Sequence, residues 1–318
     1  MPVPAVTAVV VSYQTRALLL DCLAALREDA ALGRIRVIVV DNGSADGSAQ
    51  AARAQAPWAE VRAVEGNLGF GAAVDLIAAE TESPWLLALN ADTAPAPGAV
   101  ARMLAAGQAD PRAGAIAPRL LLDGGRTQHS VGPLPTLGVV TAFALGLHRV
   151  LPGLGDRLCL EGRWDPDRPR TVPWAVGACL LLRRRAFAAV GGFDARQWMY
   201  AEDLDLCWRL GEAGWRVRYE PAARVAHASG AATGPAFGAT RRRRSMAATY
   251  AVIARRRGAA GARAVATVNL LGTLGRLAWM LPAAVLMPSR RGPARETLSW
   301  VSAHRTGLTR RAGGPGVP

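Results

Sequence analysis

An α/β fold on a mostly parallel sheet flanked by helices is what this sequence predicts, and three observations predict it. Apolar runs of strand length alternate with amphipathic stretches of helix length through the first third. The apolar runs are nearly continuous, as strands covered on both faces require. Polar residues collect just after those runs, where a parallel sheet presents its ligand-binding edge. At 318 residues, 51% hydrophobic and 19% charged, the chain is long enough for one large or two small domains with a full core.

The elements follow in order. "TAVVVSY" reads as a strand and "TRALLLDCLAALRE" as a helix. "RIRVIVVDNGS" is a second strand ending in a turn, "GSAQAARAQA" a helix and "VRAVEG" a short strand. "GAAVDLIAAE" is a third helix and "WLLALNADT" another strand. Cys22, Cys159, Cys179 and Cys207 show no C-x-x-C spacing, so core filling in a reduced, cytoplasmic setting is expected.

Three stretches occupy the edge. In "VVDNGSADGS", Asp41 follows an apolar strand, and Gly43 and Gly47 allow a tight turn; its carboxylate can accept bonds from a base or ribose. Equally, Asp41 and Asn42 are turn formers and Ser44 or Asp46 a helix cap. In "EGNLGFGAAVD", Gly66, Gly69 and Gly71 lead into a helix whose N-terminal N–H groups suit a diphosphate, with Asn67 as a polar handle. A purely structural loop reads the same residues. The spacing is not G-x-G-x-x-G and does not follow the first strand, which excludes a dinucleotide-binding fingerprint. In "LLALNADT", Asn90 and Asp92 stand two apart beyond a buried strand, so extended geometry would project both side chains to one side. Hard oxygen ligands there suit Mg²⁺ or Mn²⁺ bridging two phosphates, and an Asx turn is the competing reading.

Further on, "YAEDLDLCWRLGEAGW" places Glu202, Asp203 and Asp205 at the mouth of a helix expected from about Asp203 to Ala213. Asp203 heads the same stripe as Leu206, Cys207 and Leu210, so its carboxylate is expected to point inward and to suit general-base work. The alternative is an acid favoured only by the helix dipole. Glu202 and Asp205 fall off that stripe, and Asp205 pairs with Arg209 at i, i+4 for a few tenths of a kcal/mol, about 0.2 to 0.5. Trp198, Met199 and Tyr200 either pack against a ligand or staple the helix start.

Taken in order, "VVVSYQTRALLLDCL", "VVDNGSADGS", "EGNLGFGAA", "LNADT", "VGACLLLRRRAFAAVGGFD", "YAEDLDLCWRLGEAGW" and "YEPAARVAH" resemble the glycosyltransferases of family 2, over about residues 6 to 227. The likeness is nearest to bacterial rhamnosyltransferase-like members. It implies a GT-A nucleotide-diphospho-sugar transferase fold, with a nucleotide-binding half at about 1–120 and an acceptor half at about 121–227. It also implies an inverting, metal-dependent transfer by direct displacement. Asp41 would read the donor base, with Ser12, Asn67, Gly69 and Asn90 around the donor. Asp92 stands for the second aspartate of the D-x-D metal motif, Asn90 replacing the first, and His227 approaches the metal or diphosphate. Asp203 would be the general base, with Trp198, Tyr200 and Glu202 either toward the acceptor or supporting the residues that touch it. Asp75 stands where an asparagine is expected and receives no role. The implied cofactor is Mg²⁺ or Mn²⁺. The implied donor is dTDP-rhamnose or a UDP-sugar, and the acceptor is a saccharide or polyprenyl-diphosphate-linked saccharide of the cell envelope.

The net charge of +14 belongs to the tail: residues 1–227 hold 23 arginines and 23 acids, whereas 228–318 hold 15 arginines and only Glu296. Between the arginine clusters runs "AVATVNLLGTLGRLAWMLPAAVLM", where Asn269, Thr273 and Arg276 fall on one side of an apolar cylinder. A full span is possible on length, but Arg276 in its middle and the flanking arginines count against it. A helical basic tail lying on an anionic membrane surface is therefore expected, with the enzyme peripheral on the cytoplasmic face of the cell membrane. Nucleic-acid binding would explain the charge but leaves the apolar run idle, and no nucleic-acid partner is expected. A sugar-nucleotide nucleotidyltransferase would need a glycine-rich basic loop directly after the first strand, and "VVVSYQTR" has no glycine. A non-catalytic basic membrane- or nucleic-acid-binding protein remains as the other alternative.

Overall fold

The computed structural model describes residues 4–228, 240–287, 289 and 291–309. In chain order the first elements are β1 (Val6–Ser12), α1 (Arg16–Ala31), β2 (Ile35–Asp41), α2 (Ser48–Gln55), β3 (Glu60–Ala63) and α3 (Phe70–Glu80). Then come β4 (Trp85–Asn90), β5 (Thr93–Pro95), α4 (Ala99–Ala109), β6 (Ala113–Leu121) and β7 (Val131–Gly132). Helices α5 (Leu137–Ala144), α6 (Leu147–Val150) and α7 (Leu154–Arg157) precede β8 (Arg170–Val172), β9 (Trp174–Ala175) and β10 (Cys179–Arg183). The last are α8 (Arg184–Ala189), α9 (Glu202–Glu212), β11 (Arg216–His227), α10 (Arg241–Leu286) and α11 (Arg291–Leu308).

These elements group into two compact units. The first holds the described residues of Met1–Gly132, Asp165–Trp198 and Glu202–Ala236, the second those of Pro133–Trp164, Met199–Ala201 and Phe237–Pro318. Residues 133–164, which the sequence places with the acceptor half of the sheet domain, thus group with the C-terminal helices. Helix α5 has the reason: its apolar face needs a partner, and Ala144 meets α10 where Gly272 carries no side chain.

In the first unit the sheet order is β3-β2-β1-β4-β10-β6-β11-β5, with β8 also on β11. β3, β2, β1 and β4 run parallel, as the β-α repeats require. β10 enters antiparallel between β4 and β6. β1 and β4 read as continuous apolar runs because both faces are covered: Val9, Val10, Leu87 and Leu89 are fully buried. β11 slips register between Glu220 and Arg224, around Pro221, and so reaches far enough to pair His227 with Thr93 of β5. The four cysteines are buried and form no disulfide, and burial lifts the Cys22 and Cys207 thiols to about 12, so they act as core fillers.

In the second unit α10 turns sharply at Gly258, whose φ of 76° suits glycine, and carries Pro282 near its end. Of the polar stripe expected on this helix two members turn inward and one does not: Thr273 is fully buried and Asn269 Nδ2 donates to Tyr250 Oη at 3.2 Å, whereas Arg276 stays exposed. Apolar side chains also face out, with Leu271 61% and Trp279 87% exposed. The segment Arg241–Pro282 is long and apolar enough, by length and composition, to cross a membrane. Arg290, counted with the flanking arginines, lies outside the described residues.

Candidate active site

The parallel half of the sheet places Ser12, Asp41 and Asn90 at one edge. Ser12 is in register with Asp41, and Val11 with Asn90, so all three close adjacent strands. Ser12 is fully buried and its hydroxyl meets that of Thr15 at 3.2 Å. Asp41 is 3% exposed, yet its Oδ1 has no hydrogen-bond partner among the described residues. A buried carboxylate oxygen left without a donor is costly, and an N–H from a ligand would remove the cost. The cap reading holds only in part for its neighbours. Asp46 accepts the N–H groups of Arg16 and Ser48, the first residues of α1 and α2, although Gly47 takes the N-cap position of α2. Ser44 accepts the Gln14 N–H and caps no helix.

The glycine loop is held from behind by Asn42, a residue the sequence marks only as a turn former. Its Nδ2 donates to Asn67 Oδ1 at 3.0 Å and its Oδ1 accepts the Leu68 N–H at 3.0 Å. Asn67 Oδ1 also accepts the Gly69 N–H at 2.9 Å, so this oxygen is spent within the loop instead of facing a ligand. Gly69 has φ of 85°, and a Cβ there would stand 2.3 Å from the Trp198 carbonyl oxygen. Trp198 in turn donates Nε1–H to the Asn67 carbonyl at 3.0 Å. The tryptophan thus clamps the loop onto the segment leading into α9.

Asp92 and His227 come together from distant positions. The strand ends at Asn90 rather than running through Asp92, and Thr93 donates its hydroxyl to the Asn90 carbonyl at 2.7 Å, closing a turn. The shared face expected of Asn90 and Asp92 in extended geometry is therefore absent; the turn carries Asp92 to β11 instead. There Asp92 Oδ1 stands 3.5 Å from His227 Nε2, with both side chains under 10% exposed at 9% and 7%. Gln128 Oε1 lies 2.7 Å from His227 Nδ1. An amide oxygen can only accept, so Nδ1 carries a proton and Nε2 is the nitrogen that faces the carboxylate. A proton or a metal cation between Nε2 and Asp92 would join the two. A carboxylate and an oriented imidazole fit Mg²⁺ or Mn²⁺, with phosphate and water oxygens completing the shell. Among the described residues no group of three or more His, Cys, Asp or Glu is placed to hold a metal ion, so phosphate oxygens would have to supply what the protein does not.

Helix α9 begins at Glu202 and answers for the acids. Asp203 Oδ2 accepts the Gly177 N–H at 2.8 Å and Oδ1 the Leu204 N–H at 2.6 Å. The next residue, Ala178, accepts the Asn90 N–H at 2.9 Å. Two consecutive residues thus tie Asp203 to Asn90 at the sheet edge. Burial raises the Asp203 pKa above the ordinary aspartate value, against the lowering by those two N–H groups. Glu202 is pushed up to about 8 by burial and then by the Asp203 charge, and its Oε2 is buried without a partner among the described residues. At neutral pH Glu202 therefore keeps its proton, and Asp203 is the better hydrogen-bonded carboxyl of the pair. Tyr200 and Ala201, with φ of 63° and 59°, are held in the left-handed region just before these acids, a strain that element interiors rarely tolerate.

Asp205 departs from expectation. It is wholly buried, not off to one side, because α9 is covered almost all round: Leu204, Leu206, Cys207, Trp208 and Leu210 are buried too. Its partner Arg209 sends Nη1 to the Val190 and Gly192 carbonyls at 2.6 and 2.7 Å. Asp75 joins the same cluster by accepting the Phe193 N–H at 3.0 Å, and burial lifts it to about 6. Asn42, Asp75 and Gln128 are supports to which sequence reasoning gave no role beyond a turn, and Arg209 was read only as the i, i+4 partner of Asp205, a pair that forms.

Comparison with known proteins accords with this geometry. The model of glycosyl transferase family 2 matches residues 7–191, and that of glycosyl transferase family group 2 matches residues 167–304. An N-acetylglucosaminyl-diphospho-decaprenol L-rhamnosyltransferase of Mycobacterium tuberculosis is 37% identical over 216 residues, 63% of this chain and 68% of that protein. Rhamnosyltransferase WbbL of Escherichia coli is 37% identical over 100 residues, 31% of this chain and 34% of that protein. Among solved structures, the mannosyltransferase PcManGT from Pyrobaculum calidifontis, in complex with GDP-Man and Mn²⁺, superposes with a TM-score of 0.60 at 19% identity, covering 97% of this chain and 86% of that one. GalNAc-T7 with UDP, GalNAc and Mn²⁺ gives a TM-score of 0.52 at 15% identity, covering 71% of this chain and 44% of that one. These last two speak to the fold, which is GT-A. Since the family model spans more than half of the sequence, the chain belongs to glycosyl transferase family 2.

Proposed function

We infer that this glycosyltransferase moves a sugar, L-rhamnose as the first expectation, from a nucleoside-diphosphate donor to a saccharide carried on a prenyl diphosphate, with inversion. The observation that carries the reading is the pair of hydrogen bonds that ties Asp203 and Asn90 to consecutive residues, Gly177 and Ala178. The relatives named for rhamnosyl transfer, one of them to a diphospho-decaprenol acceptor, support the choice of sugar and acceptor class. dTDP-rhamnose is the donor this favours, with UDP-sugars next.

Asp41 accepts the base N–H of the donor, filling its unpaired oxygen. The glycine loop, fixed by Asn42 and Trp198, presents main-chain N–H groups to the diphosphate. Asp92 and His227 would hold a divalent cation, which when bound neutralises charge on the leaving diphosphate. Asp203 takes the proton of the acceptor hydroxyl as its oxygen bonds to the anomeric carbon. The bond from that carbon to the diphosphate oxygen breaks, and the electron pair leaves with the nucleoside diphosphate. Glu202, holding a proton at neutral pH, keeps a second negative charge away from Asp203. With the outward apolar face of α10 and the arginines around it, the enzyme works as a peripheral protein on the cytoplasmic face of the membrane.

The test is to offer the purified chain a panel of nucleotide sugars with Mn²⁺ and follow nucleoside diphosphate release, for the native chain and for Asp203→Asn. The reading requires turnover with one donor. It also requires a loss of about 10²- to 10⁴-fold in the variant with donor binding retained. Equal turnover in the two proteins removes Asp203 from the mechanism.

A further inference from the structure

Three arginines of the second unit converge without a carboxylate to meet them. Arg163 Nη1 donates to the His148 carbonyl at 3.4 Å, and Arg149 follows His148 on α6. Helix α10 crosses here: a Cβ on Gly272 would stand 2.9 Å from Ala144 Cβ and 3.8 Å from Arg276 Nη1. Among the described residues none of Arg149, Arg163 and Arg276 is in an ion pair within 4.0 Å. Their mutual repulsion is felt locally. Burial first, and then the charges of Arg149, Arg163 and Arg276, hold His148 below the ordinary histidine value, and burial first and then Arg149 lower Arg276. Like charges held this close are destabilising unless an anion lies between them.

The surroundings are apolar and open. Leu145, Val150 and Leu151 are 69%, 71% and 50% exposed, and Trp279, one turn beyond Arg276, is 87% exposed. A free nucleotide or a nucleic acid would satisfy the arginines and leave these side chains in water. A bilayer of singly charged lipids would cover the apolar side chains but spreads its charge over many mobile headgroups. A prenyl diphosphate does both, because several negative charges sit in one group at the end of a hydrocarbon chain.

We propose that Arg149, Arg163 and Arg276 form a binding site for the diphosphate of a prenyl-diphosphate lipid, whose chain lies along Leu145, Val150, Leu151 and Trp279. This rests on the acceptor class argued above and adds the residues that hold it. The test uses the full chain and neutral phosphatidylcholine vesicles carrying either geranylgeranyl diphosphate or phosphatidylglycerol at equal total charge, with sedimentation as the readout. The native chain should prefer the diphosphate vesicles by about tenfold or more. The triple variant Arg149→Ala/Arg163→Ala/Arg276→Ala should lose about a hundredfold on diphosphate vesicles and far less on phosphatidylglycerol. Nucleoside diphosphate binding by the triple variant, measured in parallel, reports that the protein is folded. Lysine at all three positions should keep most of the binding. Equal binding to both vesicles by the native chain, or an unchanged preference in the triple variant, overturns the site. If the native chain releases nucleoside diphosphate in the donor panel while showing no vesicle preference, this site fails and the transferase reading stands. If no donor is turned over, it is that reading that fails.

Discussion

Arg209 Nε stands 2.7 Å from Asp205 Oδ2 with the Asp205 side chain wholly buried, and the same guanidinium holds the Val190 and Gly192 carbonyls. The pair is a strut between α9 and the loop before it, not a surface i, i+4 contact. Removing one partner of a buried pair leaves an uncompensated charge, which costs about 3 to 5 kcal/mol, roughly ten times the surface figure. Asp205→Ala should therefore lose most of that amount in urea unfolding, and Asp205→Leu/Arg209→Met should recover part of it. A loss below about 0.5 kcal/mol for Asp205→Ala would return the pair to the surface class.

Glu202 makes stability fall with rising pH. Its pKa is about 8 in the folded chain against an ordinary 4.5, so the native state keeps a proton that the unfolded state releases. The contribution is whole below about 4.5 and is lost as the pH climbs through about 8. Glu202→Gln removes this titration. The denaturation midpoint of the native chain should drop between pH 5.5 and 8.5 more than that of the variant, and parallel curves would mean that Glu202 is ionised throughout.

Gly69→Ala tests the clamp between the glycine loop and Trp198. The new methyl would stand 2.3 Å from a main-chain oxygen at a φ of 85°, so the loop must move away from Trp198. The donor KM should rise about tenfold or more while the sheet, which the loop does not support, keeps its circular dichroism. An unchanged KM would remove the loop from donor binding.

The strands and helices of the first third were legible because β-α repeats write their period into the sequence, and β1, β2 and β4 form as expected. Asp203 was legible for a similar reason, since helical spacing gives its direction. Asp205 was misjudged because a single stripe assumes one covered face, whereas α9 is enclosed by β9 and β11 on one side and residues 190–193 on the other. Gln128 and Asp75 were silent because their partners, His227 and Phe193, lie 99 and 118 residues away, and no periodic signal spans such distances. The inward turn of Asn269 and Thr273 was equally hidden: periodicity finds a polar stripe but cannot say which side meets Tyr250.

Gln128 supplies the most discriminating test of the cation site, because it touches His227 without being a ligand. Its Oε1 fixes a proton on Nδ1 and so keeps Nε2 aimed at Asp92. Gln128→Leu keeps the volume and removes the acceptor, which frees the ring to flip or to change tautomer. Mn²⁺ affinity, followed by electron paramagnetic resonance in the presence of nucleoside diphosphate, should weaken about 10- to 100-fold. Turnover at saturating Mn²⁺ should recover to near the native value, because the ligands are all still present. His227→Ala should weaken Mn²⁺ at least as far. If Gln128→Leu binds Mn²⁺ like the native chain while His227→Ala does not, the imidazole is oriented by something other than Gln128. If neither variant changes the affinity, the cation is held without His227.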